Sequence, residues 1–159
     1  MSAFVLSGLA PHEFEPLFDL SDAELAMHGA VRRFADADVG FPCRVSLADA
    51  RIGDELLLLP FMHQPAASPY RACGPIFVRR GAQACRLPPG VVPPYVSRRL
   101  ISWRAYDAAH FMIDAGVDAG TQIGGALEQA FANAAVAYVH LHNAQRGCYS
   151  CLASRVAAA

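Results

Sequence analysis

Residues 136–156 read VAYVHLHNAQRGCYSCLASRV. From Val136 to His142, Ala137, Val139 and Leu141 point one way and Tyr138, His140 and His142 the other, which is the two-residue period of a β-strand. A turn-prone stretch begins at Asn143, and Gly147 to Val156 reads as a returning strand, so the chain is expected to close as a β-hairpin. Similar strand-like runs lie upstream at Phe4–Leu9, Ala30–Ala35, Glu55–Phe61, Pro75–Arg80, Leu100–Tyr106 and His110–Val117, separated by Gly, Pro and Asp. Leu56 to Leu59 is apolar at every position, which predicts a central strand covered on both faces. Three helices are expected. The first starts at Pro11 and carries Phe14, Leu17 and Phe18 on one side. The second has a capping box of Ser21 and Glu24, a Leu20–Leu25 staple and a stop at Gly29. The third runs from Thr121 to Ala132 with Ile123, Leu127, Ala130 and Phe131 on one side. Strands in succession with few helices predict an α+β fold built on a mostly antiparallel sheet.

A chain of 159 residues that is 54% hydrophobic is of a size to form a single domain, 1–159, with one core. An Ala-rich tail, 156–159, is expected to fray. A net charge of −1, with basic residues in scattered pairs, gives no footprint for nucleic acid. The longest apolar stretch, Leu56–Met62, is interrupted by Pro60 and falls short of the roughly 20 residues that span a bilayer. With no basic and apolar leader at the N-terminus, no membrane association and a cytoplasmic location are expected. Five cysteines, an odd number without scaffold spacing, fit reduced thiols. All 13 basic residues are arginine. The absence of lysine excludes Schiff-base catalysis, pyridoxal-phosphate attachment and a P-loop, so any anion must be held by arginine, backbone N–H or a metal.

Groups able to bind a metal or move a proton are most concentrated in the closing hairpin. His140 and His142 share a face about 6.5–7 Å apart at Cα, close enough to flank one molecule or one metal. The hairpin register decides their neighbour: one loop length puts Tyr149 and Cys151 on the histidine face, the other Cys148 and Ser150. A zinc site would take His140, His142 and Cys148, zinc being suited to imidazole and thiolate. Otherwise the histidines are a partly exposed pair beside core thiols, and Asn143 only starts the turn.

A second concentration is the Pro-rich loop HQPAASPYRACGPIF, residues 63–77, with His63, Ser68, Tyr70 and Arg71. Arg71 offers a planar fork to a carboxylate or phosphate, Tyr70 a phenol and His63 a group that titrates near neutrality. The third is GFPCRVSLADA, residues 40–50, where Arg44 beside Cys43 can favour a nucleophilic thiolate, with an inert core thiol as the other reading.

The runs GFPCRVSLADA, SPYRACGPIFVR and YVHLHNAQRGCY, together with GDELLLL, resemble an uncharacterised bacterial family known as domain of unknown function 1203. The resemblance covers nearly the whole chain and brings no established activity, cofactor or substrate. It implies that Cys43, Arg44, Ser68, Tyr70, Arg71, His140, His142, Asn143 and Cys148 occupy the family's motif positions, and that Cys73, Gly74 and Cys151 depart from them. Residues and resemblance together lead to one expectation. The SPYR loop and the HLHN hairpin form a pocket for a small polar or anionic molecule, held by Tyr70, Arg71, Ser68, His63 and Asn143. His140 or His142 is then the general base or hydrogen-bond donor, with Cys43 a further catalytic candidate. The alternatives are the zinc site and a non-catalytic assembly domain. The cofactor is left unknown, and a homodimer is the prior for the oligomeric state.

Overall fold

The structure is a computed structural model that describes residues 1–157; the last two residues of the Ala-rich tail lie outside the described residues. The strands are β1 (Phe4–Ser7), β2 (Val31–Phe34), β3 (Pro42–Cys43), β4 (Ala48–Asp49), β5 (Glu55–Gln64), β6 (Ala72–Arg79), β7 (Leu100–Tyr106), β8 (Met112–Ala119), β9 (Tyr138–Asn143) and β10 (Tyr149–Arg155). The α-helices are α1 (Asp22–Met27), α2 (Pro94–Ser97) and α3 (Ile123–Ala132). Two five-stranded sheets result, ordered β1-β10-β9-β7-β8 and β2-β5-β6-β3-β4. Every neighbouring pair is antiparallel except β3 and β6, which meet in parallel at Cys43 and Phe77. The fold is α+β, mostly antiparallel, with a C-terminal hairpin, as the strand periodicity dictates.

Local signals act where they were expected. Ser21 Oγ accepts from Glu24 N–H at 3.2 Å while Glu24 Oε2 accepts from Ser21 N–H at 2.7 Å, completing the capping box of α1, and Gly29 follows with φ +68°. The segment after Pro11 is not an α-helix but two 3-10 runs, Pro11–Glu13 and Glu15–Asp19. Pro16 lacks the N–H that a continuous helix would need there. The two-residue strands β3 and β4 and the single turn α2 are too short to show a period in the sequence. No helix among the described residues is long and apolar enough to cross a membrane.

The buried apolar residues fall into three clusters rather than the one core expected. On the first sheet, Leu6, Ile101, Val139, Leu141, Cys151 and Ala153 pack against Ile123, Leu127 and Phe131 of α3. On the second, Leu57, Leu59, Ile76 and Val78 pack against Phe14, Phe18 and Leu25. A smaller group joins Leu56 to Ala35 and Ala50. Leu56 and Leu57 are adjacent, both fully buried, and belong to different clusters, so β5 is covered on both faces as its unbroken apolar run requires.

Backbone packing is tight where α3 begins. A Cβ on Gly120 would lie 2.1 Å from the Val96 carbonyl oxygen and 2.7 Å from that of Arg99, whereas one on Gly125 would meet nothing within 4 Å. Gly120→Ala is therefore expected to cost about 2 kcal/mol or more. Gly125→Ala, inside the same helix system, should stabilise by about 0.5–1 kcal/mol. Urea unfolding of both variants checks the opposite signs.

Candidate functional site

The face of the first sheet turned away from α3 is polar. The β7–β9 ladder pairs Ser102 with His142, Arg104 with His140 and Tyr106 with Tyr138, and directly paired residues share a face. On the other side of β9, Tyr149 pairs with His142. A bulge at Ser150 then shifts the register so that Cys151 pairs with Leu141. The extra residue reverses the alternation, keeping Tyr149 with the histidines and turning Cys151 into the apolar cluster behind. Neither hairpin register read from the sequence includes this bulge.

The second sheet supplies a third imidazole. His63, placed by sequence in a loop, lies on β5. It reaches the first sheet with its ring stacked on Tyr149, 5.6 Å between centroids and 12° between planes. Its centroid is 5.0 Å from that of His142 and 6.2 Å from that of His140, and His140 and His142 are 6.4 Å apart. Tyr149 also packs edge-on against His140 at 5.3 Å and His142 at 5.9 Å. Beyond His140 the rings continue through Tyr106 and Tyr138, stacked at 5.2 Å, to Tyr70, 6.1 Å from Tyr106.

Five buried side-chain polar atoms among the described residues have no hydrogen-bond partner, and three of them are imidazole nitrogens of this cluster: His63 Nδ1, His140 Nδ1 and His142 Nε2. Buried polar groups are otherwise almost always paired, so three unpaired nitrogens side by side single this cluster out among the described residues. The Gly147 carbonyl accepts from His142 Nδ1 at 3.1 Å, which fixes the proton on Nδ1 and leaves Nε2 with its lone pair.

Burial holds all three imidazoles neutral. His140 is pushed down to about 3 by desolvation and then by His142, His63 and Arg104. His142 is pushed down to about 4 by desolvation and Arg104, against the opposing hydrogen bond to Gly147. His63 is lowered by the same two causes. Imidazoles this weakly basic serve near pH 7 as hydrogen-bonding groups rather than as efficient general bases. The permanent charge beside them is Arg104, which pairs with no acid of the described residues.

The other residues singled out in the sequence are distributed differently. Arg71 is exposed and donates to the Pro65 carbonyl within its own loop; Arg104 holds the position beside the histidines that Arg71 was expected to fill. Ser68 Oγ accepts from Tyr70 N–H at 3.2 Å and donates to the His110 carbonyl at 3.4 Å, shaping the loop. Asn143 starts the hairpin turn, its carbonyl accepting from Gly147 N–H at 2.7 Å. Cys43 is fully buried in the second cluster, its sulfur accepting from the backbone N–H of Arg79 at 3.3 Å, which removes it from the catalytic candidates. Arg44, in the turn that follows β3, places its guanidinium on Cys148, 3.1 Å from Sγ. The zinc set of His140, His142 and Cys148 is not assembled. Among the described residues no three His, Cys, Asp or Glu side chains are disposed to hold a metal.

Arg104, Tyr149 and Tyr106 were not foreseen as site residues. The alternation of LISWRAY sets Ser102, Arg104 and Tyr106 on one polar face, a signal present in the sequence without its partner strand. An open cleft of about 500 Å³ lies elsewhere, lined by Asp38, Asp49, Arg51 and Arg98. Its acids are already engaged, Asp49 by Arg98 and Arg99 and Asp38 by the Ile52 N–H, so it lacks the unsatisfied groups that distinguish the histidine cluster.

Residues 40–155, which include all three histidines and Arg104, match the family described as "Protein of unknown function (DUF1203)". The chain belongs to this family. No curated protein and no solved structure matches it. Membership in DUF1203 covers β3 through β10, and therefore both sheets' contributions to the cluster.

Proposed function

We propose that this DUF1203 protein binds a small anion that also carries a hydroxyl or amine hydrogen, at the contact of His63, His140, His142 and Arg104. The observation that carries this is the group of three buried, unpartnered imidazole nitrogens beside an arginine without an acid partner. Arg104 supplies the charge that a carboxylate or phosphate needs. His142 Nε2, a fixed acceptor, takes the hydrogen of the ligand's hydroxyl or amine, and the Nδ1 atoms of His63 and His140 complete its shell. Tyr149 and Tyr106 form the apolar walls, and Tyr70 stands one ring further out. A ligand that leaves these nitrogens unpaired is rejected, since their desolvation is then uncompensated.

Titration calorimetry with inorganic phosphate and a panel of small hydroxycarboxylates and amino acids tests the assignment. At least one should bind the parent, and Arg104→Gln should weaken it about 10- to 100-fold, the value of one charge-assisted hydrogen bond. His142→Phe should do the same while Arg71→Gln leaves affinity unchanged. Binding that survives Arg104→Gln but falls with Arg71→Gln would move the site to the loop.

A further inference from the structure

Arg44 is 1% exposed, and among the described residues no acid pairs with it. Its guanidinium donates to the Tyr149 carbonyl at 2.7 Å, the Pro42 carbonyl at 2.6 Å and Cys148 Sγ at 3.1 Å. The Asn143 amide donates to the same sulfur at 3.7 Å. Asn143 is itself only 8% exposed, and its Oδ1 has no partner. Of the three acceptors on this buried cation, two are neutral carbonyls, and only the sulfur can take on a negative charge. The guanidinium and the Asn143 amide thus aim two N–H donors at this one sulfur.

We propose that Cys148 is a nucleophilic thiol site for small disulfides that carry amide N–H groups. Arg44 and Asn143 Nδ2 stabilise the charge that builds on sulfur as its proton leaves for water. The unpartnered Asn143 Oδ1 accepts an N–H of the incoming molecule. Cys148 Sγ attacks one sulfur of the disulfide in line with the S–S bond. The new S–S bond forms as the old one breaks, and the other half departs as a thiolate that water reprotonates. Cys148 is oxidised to the mixed disulfide and the departing half is reduced to a thiol, so no further oxidant is required.

The four other thiols provide contrasts within the same chain. Cys43 and Cys151 are buried among apolar side chains. Cys85 is half-buried, and desolvation pushes its thiol up. Cys73 is exposed without a cation hydrogen-bonded to its sulfur. Reactive cysteines are partly exposed and electropositive in surroundings, a description that fits Cys148 alone of the five.

The test treats the folded chain at pH 7 with limiting oxidised glutathione, an amide-bearing disulfide, and separately with iodoacetamide, reading each cysteine by peptide mass spectrometry. Cys148 should react at least 10-fold faster than the more exposed Cys73. Asn143→Asp, which sets a carboxylate beside the sulfur, should slow Cys148 several-fold and leave Cys73 unchanged. Arg44→Lys, which keeps a charge but loses the fork, should narrow the ratio. If Cys73 reacts as fast as Cys148 in the parent, or if Asn143→Asp leaves the Cys148 rate untouched while circular dichroism shows a folded chain, the proposal fails.

Discussion

Acidification from pH 7 to 4.5 is expected to remove on the order of 5 kcal/mol of stability, most of it through His140 and His142. In the unfolded chain these imidazoles take up protons near 6.5, whereas in the fold they do so only near about 3 and about 4. Between those limits the unfolded state binds more protons, so stability rises with pH across the window. It is complete above about 6.5 and declines as pH falls, by about 1.4 kcal/mol per pH unit for each imidazole. His63, lowered for the same reason, acts in the same direction. Urea unfolding at half-unit pH steps measures the slope, and a His140→Phe, His142→Phe double variant should flatten it. A parent whose stability is level from pH 7 to 4.5 would mean that water reaches the imidazoles freely, and the unsatisfied nitrogens would lose their significance. The same slope bears on the proposed function: because the imidazoles are neutral at pH 7, Arg104 would be the one charge offered to the proposed anion there.

Arg44→Met is expected to cost about 3 kcal/mol, far more than substitution of any arginine on the surface. The loss strands the Tyr149 and Pro42 carbonyls, each a buried acceptor whose unmet hydrogen bond costs about 1–3 kcal/mol. Relief of the desolvation of a buried guanidinium offsets part of this. Arg98→Met is the control. Arg98 is about half exposed and pairs with Asp49 at 3.3 Å, while Arg99 holds the same acid, so its loss should stay below about 1 kcal/mol. Equal effects from both substitutions would show that Arg44 does not tie the hairpin to β3. Because Arg44 grips the Tyr149 carbonyl, Arg44→Met should also disturb the Tyr149 ring that His63 stacks on, and so weaken anion binding along with stability.

Period and turn chemistry were enough to read eight of the ten strands, the capping box of α1, the face shared by Tyr138, His140 and His142, and the covering of β5 on both faces. Each of these follows from side-chain direction over a few consecutive residues, which the backbone fixes locally. The absence of lysine likewise left arginine as the only side chain with a permanent positive charge, and the tertiary structure decided which arginine stands beside the histidines. Arg104 rather than Arg71 stands beside His140 because β7, not the Pro-rich loop, is the ladder partner of β9, and pairing between strands 30 or more residues apart leaves no trace in either segment's own pattern. His63 joins the cluster only because the second sheet presents the end of β5 to the first. Cys151 leaves it because one extra residue at Ser150 reverses the alternation. Sequence alone determined what each unbroken stretch of strand shows on its two faces; the bulge in β10 and the packing of one sheet on the other decided which of those faces meet, since that choice is made by long-range burial rather than by any local preference.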